Sequence, residues 1–118
     1  MIRMKPSFLA LLLLVVSALG QAQENMSQWL NEGQMIDVRT LQEYQSGHMR
    51  GAVNIPYDQI QLQIAAQVPD KSTPVLLYCR SGRRSGIAQQ SLIALGYKNV
   101  VNIGGIEELQ EFVAQYAQ

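Results

Sequence analysis

The chain is predicted to be a single α/β domain, a parallel β-sheet flanked by helices on both faces. Three observations predict it. Short apolar runs alternate along the sequence with segments of helical spacing, a pattern that needs crossover helices between parallel strands. One run, Val75-Leu76-Leu77-Tyr78-Cys79, is apolar throughout and has the length of a strand buried on both faces. The length, 118 residues of which 47% are hydrophobic, is enough for one real core and too short for two.

The first residues stand apart from this pattern. Arg3 and Lys5 make a basic start, Phe8 to Val16 is unbroken apolar, and Ser17-Ala18-Leu19-Gly20-Gln21-Ala22 supplies small residues. Residues 1–22 are therefore expected to be a secretory signal peptide and residues 23–118 the folded domain, exported to the periplasm. The run is shorter than the roughly 20 apolar residues of a membrane-spanning helix, so no membrane association is expected after cleavage.

The remaining elements follow in order. Residues 26–32, with Trp29 and Leu30, read as a short helix ended by Gly33, with Trp29 assigned to the core. A strand is expected from Gln34 to Val38. Thr40-Leu41-Gln42-Glu43 has the spacing of a capping box and starts a short helix that Gly47 stops. A strand from Ala52 to Ile55 comes next. Pro56 then opens a helical segment with Ile60, Ile64 and Ala65 on one side, and Val68-Pro69-Asp70-Lys71-Ser72-Thr73-Pro74 is a turn. Behind the central run, a basic loop containing Arg80, Arg83 and Arg84 precedes a helix whose stripe is Ala88, Ser91, Leu92 and Leu95, closed by Gly96. Asn99 to Ile103 is the last expected strand, followed by a helix turning Ile106, Leu109, Val113 and Tyr116 inward.

Chemistry is expected where the central strand ends. In open α/β sheets, sites form at the carboxyl ends of the strands, which puts Cys79, Asp37 with Arg39, and the residues after Ile55 at one rim. Cys79 is the only cysteine. A sulfur held over the first turn of a helix, beside arginines, is stabilised as a thiolate. A lone cysteine forms no internal disulfide, so in an exported protein it points to a reactive thiol. With a single histidine and no Cys/His cluster, neither a metal site nor a cofactor is expected, and His48 is assigned a structural place. The formal net charge is zero, which gives no whole-molecule attraction to nucleic acid.

These residues carry a resemblance. Cys79-Arg80-Ser81-Gly82-Arg83-Arg84-Ser85 resembles the active-site loop of the rhodanese family of sulfurtransferases. Asp37-Val38-Arg39, with Gly47-His48-Met49-Arg50-Gly51-Ala52-Val53-Asn54-Ile55-Pro56, resembles its N-terminal signature, and Gly104-Gly105 its last strand-to-helix turn. Length and export signal are closest to the short periplasmic members. Two positions differ from the family's usual pattern: Met49 replaces Ile, and Leu109 stands where many members have Trp.

The resemblance implies a rhodanese-like domain and a thiosulfate sulfurtransferase. Cys79 would attack the outer sulfur of thiosulfate, release sulfite, and hand the sulfur from a persulfide to cyanide or a thiol. Arg80, Ser81, Gly82, Arg83, Arg84 and Ser85 are then the expected substrate-binding residues, with Asp37 and Arg39 as support for the loop, no cofactor, and a monomeric protein. A non-enzymatic carrier that passes a persulfide to a protein partner is the alternative. Phosphatase chemistry of the related cysteine phosphatases is disfavoured, because a Cys-x5-Arg loop needs Arg at position 85 and the sequence has Ser85.

Overall fold

The computed structural model describes residues 26–116, with side chains described as far as Glu111. The expected signal peptide, and Val113 and Tyr116 as expected core side chains, lie outside the described residues. Residues 26–32 form helix α1. Then follow β1 (Gln34–Asp37), α2 (Leu41–Gln45), β2 (Val53–Asn54), α3 (Ile60–Gln67), β3 (Val75–Cys79), α4 (Arg83–Ala94), β4 (Val100–Gly105) and α5 (Ile106–Tyr116). All strand pairs are parallel, in the order β2-β1-β3-β4. No helix among the described residues is long and apolar enough to cross a membrane.

Alternation along β3 divides the core in two. Val75, Leu77 and Cys79 belong to a cluster with Ile36, Val38, Ile60, Ile64, Ala88 and Leu92, which places α3 and α4 on one face. Tyr78 belongs to the other cluster, with Met49, Ala52 and Leu109 and with Tyr44 and Ile106 packed on it, which places α2 and α5 on the opposite face. All five residues of β3 are buried, as the unbroken apolar run requires of a central parallel strand.

Strand ends align at one rim. The Val38 N–H donates to Tyr78 O at 3.0 Å, and the Ile55 N–H to Asp37 O at 3.0 Å. The capping box forms as expected: Thr40 Oγ1 accepts from the Glu43 N–H at 3.2 Å, and the Glu43 carboxylate accepts from the Thr40 N–H at 3.2 Å.

Four local expectations differ. The basic segment is shorter as a loop than it reads, because Gly82, at φ 95°, caps a helix that begins at Arg83; Arg83, Arg84 and Ser85 are the first turn of α4. That helix ends at Ala94, so Leu95 sits beyond its last turn and is exposed. Ala65 also faces solvent, since Ile60, Ile64 and Val68 suffice to seat α3. Trp29 is half-buried.

Strand β4 carries an irregularity of consequence for the site. Its register runs Leu77↔Asn102 and then Tyr78↔Gly104, so Ile103 is an extra residue in the ladder. Such a bulge redirects the side chains around it. Ile103 packs with the α2/α5 cluster, and Asn102 reaches Gly82 and Ser85.

Candidate active site

Cys79 ends β3 with its side chain fully buried. Its sulfur lies over the start of α4, because three residues separate the strand end from the helix. The Gly82 N–H donates to Sγ at 3.0 Å, and the Ser85 hydroxyl lies 3.4 Å from Sγ. Burial pushes the thiol up. The Ser85 hydroxyl and the backbone N–H groups of Ser85, Ser81 and Gly82 outweigh it, so Cys79 ionises below the ordinary thiol value. This is the environment of a nucleophilic thiolate, set by oriented donors more than by nearby cations.

Two glycines of β4 seat the loop. A Cβ at Gly105 would lie 2.4 Å from the Arg80 carbonyl oxygen, so only glycine allows this approach. Gly104, at φ 104°, faces Gly82 across the same contact.

The three arginines separate into two kinds. Arg80 and Arg83 are exposed. Arg84 instead lies against Glu43 of α2, donating from Nη1 to Oε1 at 2.7 Å and from Nη2 to Oε2 at 2.9 Å. The Arg84 guanidinium holds the Glu43 carboxyl down at about 2, and Glu43 in turn raises the guanidinium. The fork geometry fixes Arg84 beside Cys79 as a standing positive charge whose donors toward α2 are already used.

Asp37 and Arg39 form a buried ion pair, with Arg39 Nη2 donating to Oδ2 at 2.6 Å and Nε lying 3.0 Å from both carboxylate oxygens. Arg39 also donates to Gly47 O at 2.7 Å and lies over the Tyr78 ring, 5.8 Å from its centroid. The Asp37 hydrogen bond raises the guanidinium. Tyr78, pushed up by burial, remains a neutral phenol and accepts from the Met49 N–H at 2.9 Å. Side-chain contacts of the pair thus run to the segment after α2 and to Tyr78, and Asn54 Nδ2 donates to the backbone carbonyls of both residues; none of these hydrogen bonds reaches residues 79–85. His48 is exposed, stacked on Tyr44 with 3.7 Å between ring centroids, and its Nδ1 lies 2.9 Å from Tyr44 O. The carbonyl fixes the Nδ1–H tautomer, and the ring holds the end of α2.

Sequence reasoning missed three residues of this site. Glu43 reads only as a helix cap, Gly105 only as half of a turn, and Asn102 not at all. A signal for Asn102 was present: a polar side chain in an otherwise apolar run, between Val101 and Ile103.

A model of the rhodanese-like domain matches residues 22–112, Cys79 and its loop included. The chain belongs to the rhodanese-like domain family. Among similar proteins, the thiosulfate sulfurtransferase PspE of Escherichia coli (strain K12) is 45% identical over 74 residues, covering 63% of this chain and 71% of that one. The thiosulfate:glutathione sulfurtransferase of Saccharomyces cerevisiae is 32% identical over 76 residues, 55% of each chain. A solved structure described as a rhodanese with anions from E. coli matches at 43% identity with a TM-score of 0.63, covering 64% of this chain and 89% of that chain. The match spans the strand, the cysteine loop, the helix and the Gly104-Gly105 pair that seats the loop.

Proposed function

We propose that this rhodanese is a thiosulfate sulfurtransferase working through a persulfide on Cys79. The observation that carries the reading is the buried Sγ at the end of β3, served by the Gly82 N–H at 3.0 Å and by Ser85. In the first half-reaction the thiolate attacks the outer sulfur of thiosulfate; the new S–S bond forms as the bond to the sulfonate sulfur breaks, and sulfite leaves with that bond's electron pair. In the second, a thiolate or cyanide attacks the outer sulfur of the persulfide and Cys79 departs as thiolate. Neither half needs a general base, because nucleophile and leaving group are anions throughout. What the protein supplies is N–H donors and positive charge where the anions gather.

Roles follow from position. Arg80 and Arg83, exposed on the loop and first helical turn, attract and hold the dianionic donor. Arg84, clamped by Glu43, adds a fixed positive charge beside the sulfur. Ser81, Gly82 and Ser85 stabilise the thiolate and the persulfide. Asp37 and Arg39 support the rim on which the loop rests, through Tyr78, the neighbour of Cys79. The relatives' names favour thiosulfate as donor and a thiol as one acceptor; cyanide is the acceptor for assay. Monomeric function in the periplasm, after removal of residues 1–22, completes the reading.

A phosphatase reading is disfavoured by Ser85: it stands where Cys-x5-Arg chemistry needs its arginine, and it is fully buried, between the sulfur and Asn102. The test is mass spectrometry of the purified protein before and after thiosulfate. One added sulfur on Cys79, removed by cyanide or a thiol with release of thiocyanate or a new persulfide, is expected; an unmodified Cys79 under these conditions overturns the proposal. Transfer only to a protein acceptor, with no turnover on small thiols or cyanide, would identify a carrier instead.

A further inference from the structure

Ser85 has one hydroxyl proton and three acceptors within reach: Asn102 Oδ1 at 2.7 Å, Gly82 O at 3.1 Å and Cys79 Sγ at 3.4 Å. The Gly82 carbonyl is already served twice, by the Gly86 N–H at 3.0 Å and by Asn102 Nδ2 at 2.9 Å, which fills both of its lone pairs. The choice therefore lies between Asn102 and the sulfur. Asn102 cannot trade its own ends. Its Nδ2 must face a carbonyl, and its Oδ1 accepts from the Gly104 N–H at 3.1 Å, so backbone groups on both sides fix the amide in one orientation.

We propose that Asn102 is a positioning residue for the sulfur chemistry: its Oδ1 holds the Ser85 hydroxyl proton while Cys79 is a thiol, and yields it to the sulfur when Cys79 ionises. With the hydroxyl turned to Asn102, a Ser85 Oγ lone pair faces Sγ and the thiol S–H donates to it. When the thiol proton leaves to solvent, the sulfur becomes an anionic acceptor, stronger than a neutral amide oxygen. The hydroxyl keeps its proton and rotates. Ionisation of Cys79 is thereby linked to β4, through the residue that the bulge at Ile103 brings under the loop.

Other groups facing the sulfur do not supply this coupling. Arg84 is engaged by Glu43 on α2 and Asp37 by Arg39 at the end of β1, and among the described residues neither these side chains, nor Arg80 and Arg83, nor Glu108 of α5 beside Gly104, hydrogen-bonds to Ser85 or to Asn102. Tyr78, pushed up by burial, stays protonated. His48 is held on Tyr44.

The proposal rests on Cys79 as the nucleophile, but its test reads titration and not turnover, so the two fail separately. In a pH titration of labelled full-length protein by NMR, the Asn102 side-chain amide resonances should inflect at the same pH as the Cys79 Cβ. In Ser85→Ala the Cys79 inflection should remain, moved to higher pH, while the Asn102 response falls several-fold. An Asn102 response of equal size in Ser85→Ala would mean a direct field effect of the thiolate. Together with a wild-type Asn102 that does not titrate, these are the results that overturn the proposal. A second arm uses Asn102→Asp, whose carboxylate competes more strongly for the hydroxyl. Alkylation of Cys79 at neutral pH should slow about tenfold in the wild-type background and clearly less in Ser85→Ala. Equal slowing in both backgrounds would again reduce Asn102 to a charge acting at a distance.

Discussion

Arg84 and Glu43, 41 residues apart in sequence, meet as a two-point ion pair with N···O distances of 2.7 and 2.9 Å. The same carboxylate caps α2 through Thr40. One side chain therefore ties the start of α2 to the start of α4.

The clamp predicts unequal arginines. Arg80→Ala and Arg83→Ala should each slow persulfide formation from thiosulfate about tenfold, an effect that shrinks as salt is raised, while leaving thermal stability near wild type. Arg84→Ala should both slow capture and lower the melting temperature. Stopped-flow kinetics at two salt concentrations, with thermal unfolding of the same variants, separates the roles. Three variants behaving alike would remove the distinction.

Acid should release the clamp. The Glu43 carboxyl is lowered from the ordinary 4.5 to about 2 by Arg84, so the unfolded chain takes up its proton before the folded one does. The stabilisation is complete above the ordinary carboxylate range and is lost as pH falls from about 4.5 toward about 2. Thermal unfolding of wild type and Glu43→Gln against pH should show a gap at neutral pH that closes across this window.

Cys79→Ser should abolish sulfurtransferase activity with the fold retained. The oxygen can accept from the Gly82 N–H in place of sulfur, and the change in volume within the α3/α4 cluster is small, so a cost near 1 kcal/mol is expected. Circular dichroism and thiosulfate:cyanide turnover check the two halves; activity near wild type would refute the assignment of the nucleophile.

The thiol itself gives a pH signature. Because the folded value is lowered, alkylation of Cys79 should gain rate with pH along a curve whose midpoint lies below that of a free thiol, about 8.5. Ser85→Ala should move the midpoint up, since it removes the donor that contributes most to the lowering. Iodoacetamide kinetics across pH reads both.

Gly105→Ala tests the seat of the loop. The added methyl would lie 2.4 Å from the Arg80 carbonyl oxygen, and backbone cannot yield as a flexible side chain does. A loss of roughly 1–3 kcal/mol in stability is expected, with a larger proportional loss of activity. Unfolding by urea and steady-state assay would show both.

What could be read in advance, and what could not, has a physical pattern. Local rules placed the strands, the capping box at Thr40, and Cys79 at a strand end over a helix start, since each depends on neighbours within a few residues. The ion pair of Arg84 with Glu43 is a different sort of omission: its partner lies on another helix. Asn102 stands out as a polar side chain in an apolar run, but its position under the loop depends on a ladder irregularity that the run does not reveal. The helix start at Arg83 was missed because Gly82 caps it by backbone conformation, without the side-chain hydrogen bond that marks Thr40.

The bulge in β4 bears on how such a protein could be re-engineered. Six residues of β4 lie along five of β3, with the phase of the strand reset between Asn102 and Gly104. The cysteine loop is therefore not a portable part. Grafting residues 79–85 onto a sheet whose neighbouring strand runs in regular register would leave Gly82 and Ser85 without Asn102 and set a Cβ against the loop carbonyl. A working transplant has to carry residues 102–105 as well, making the transferable unit a pair of strand ends that must move together.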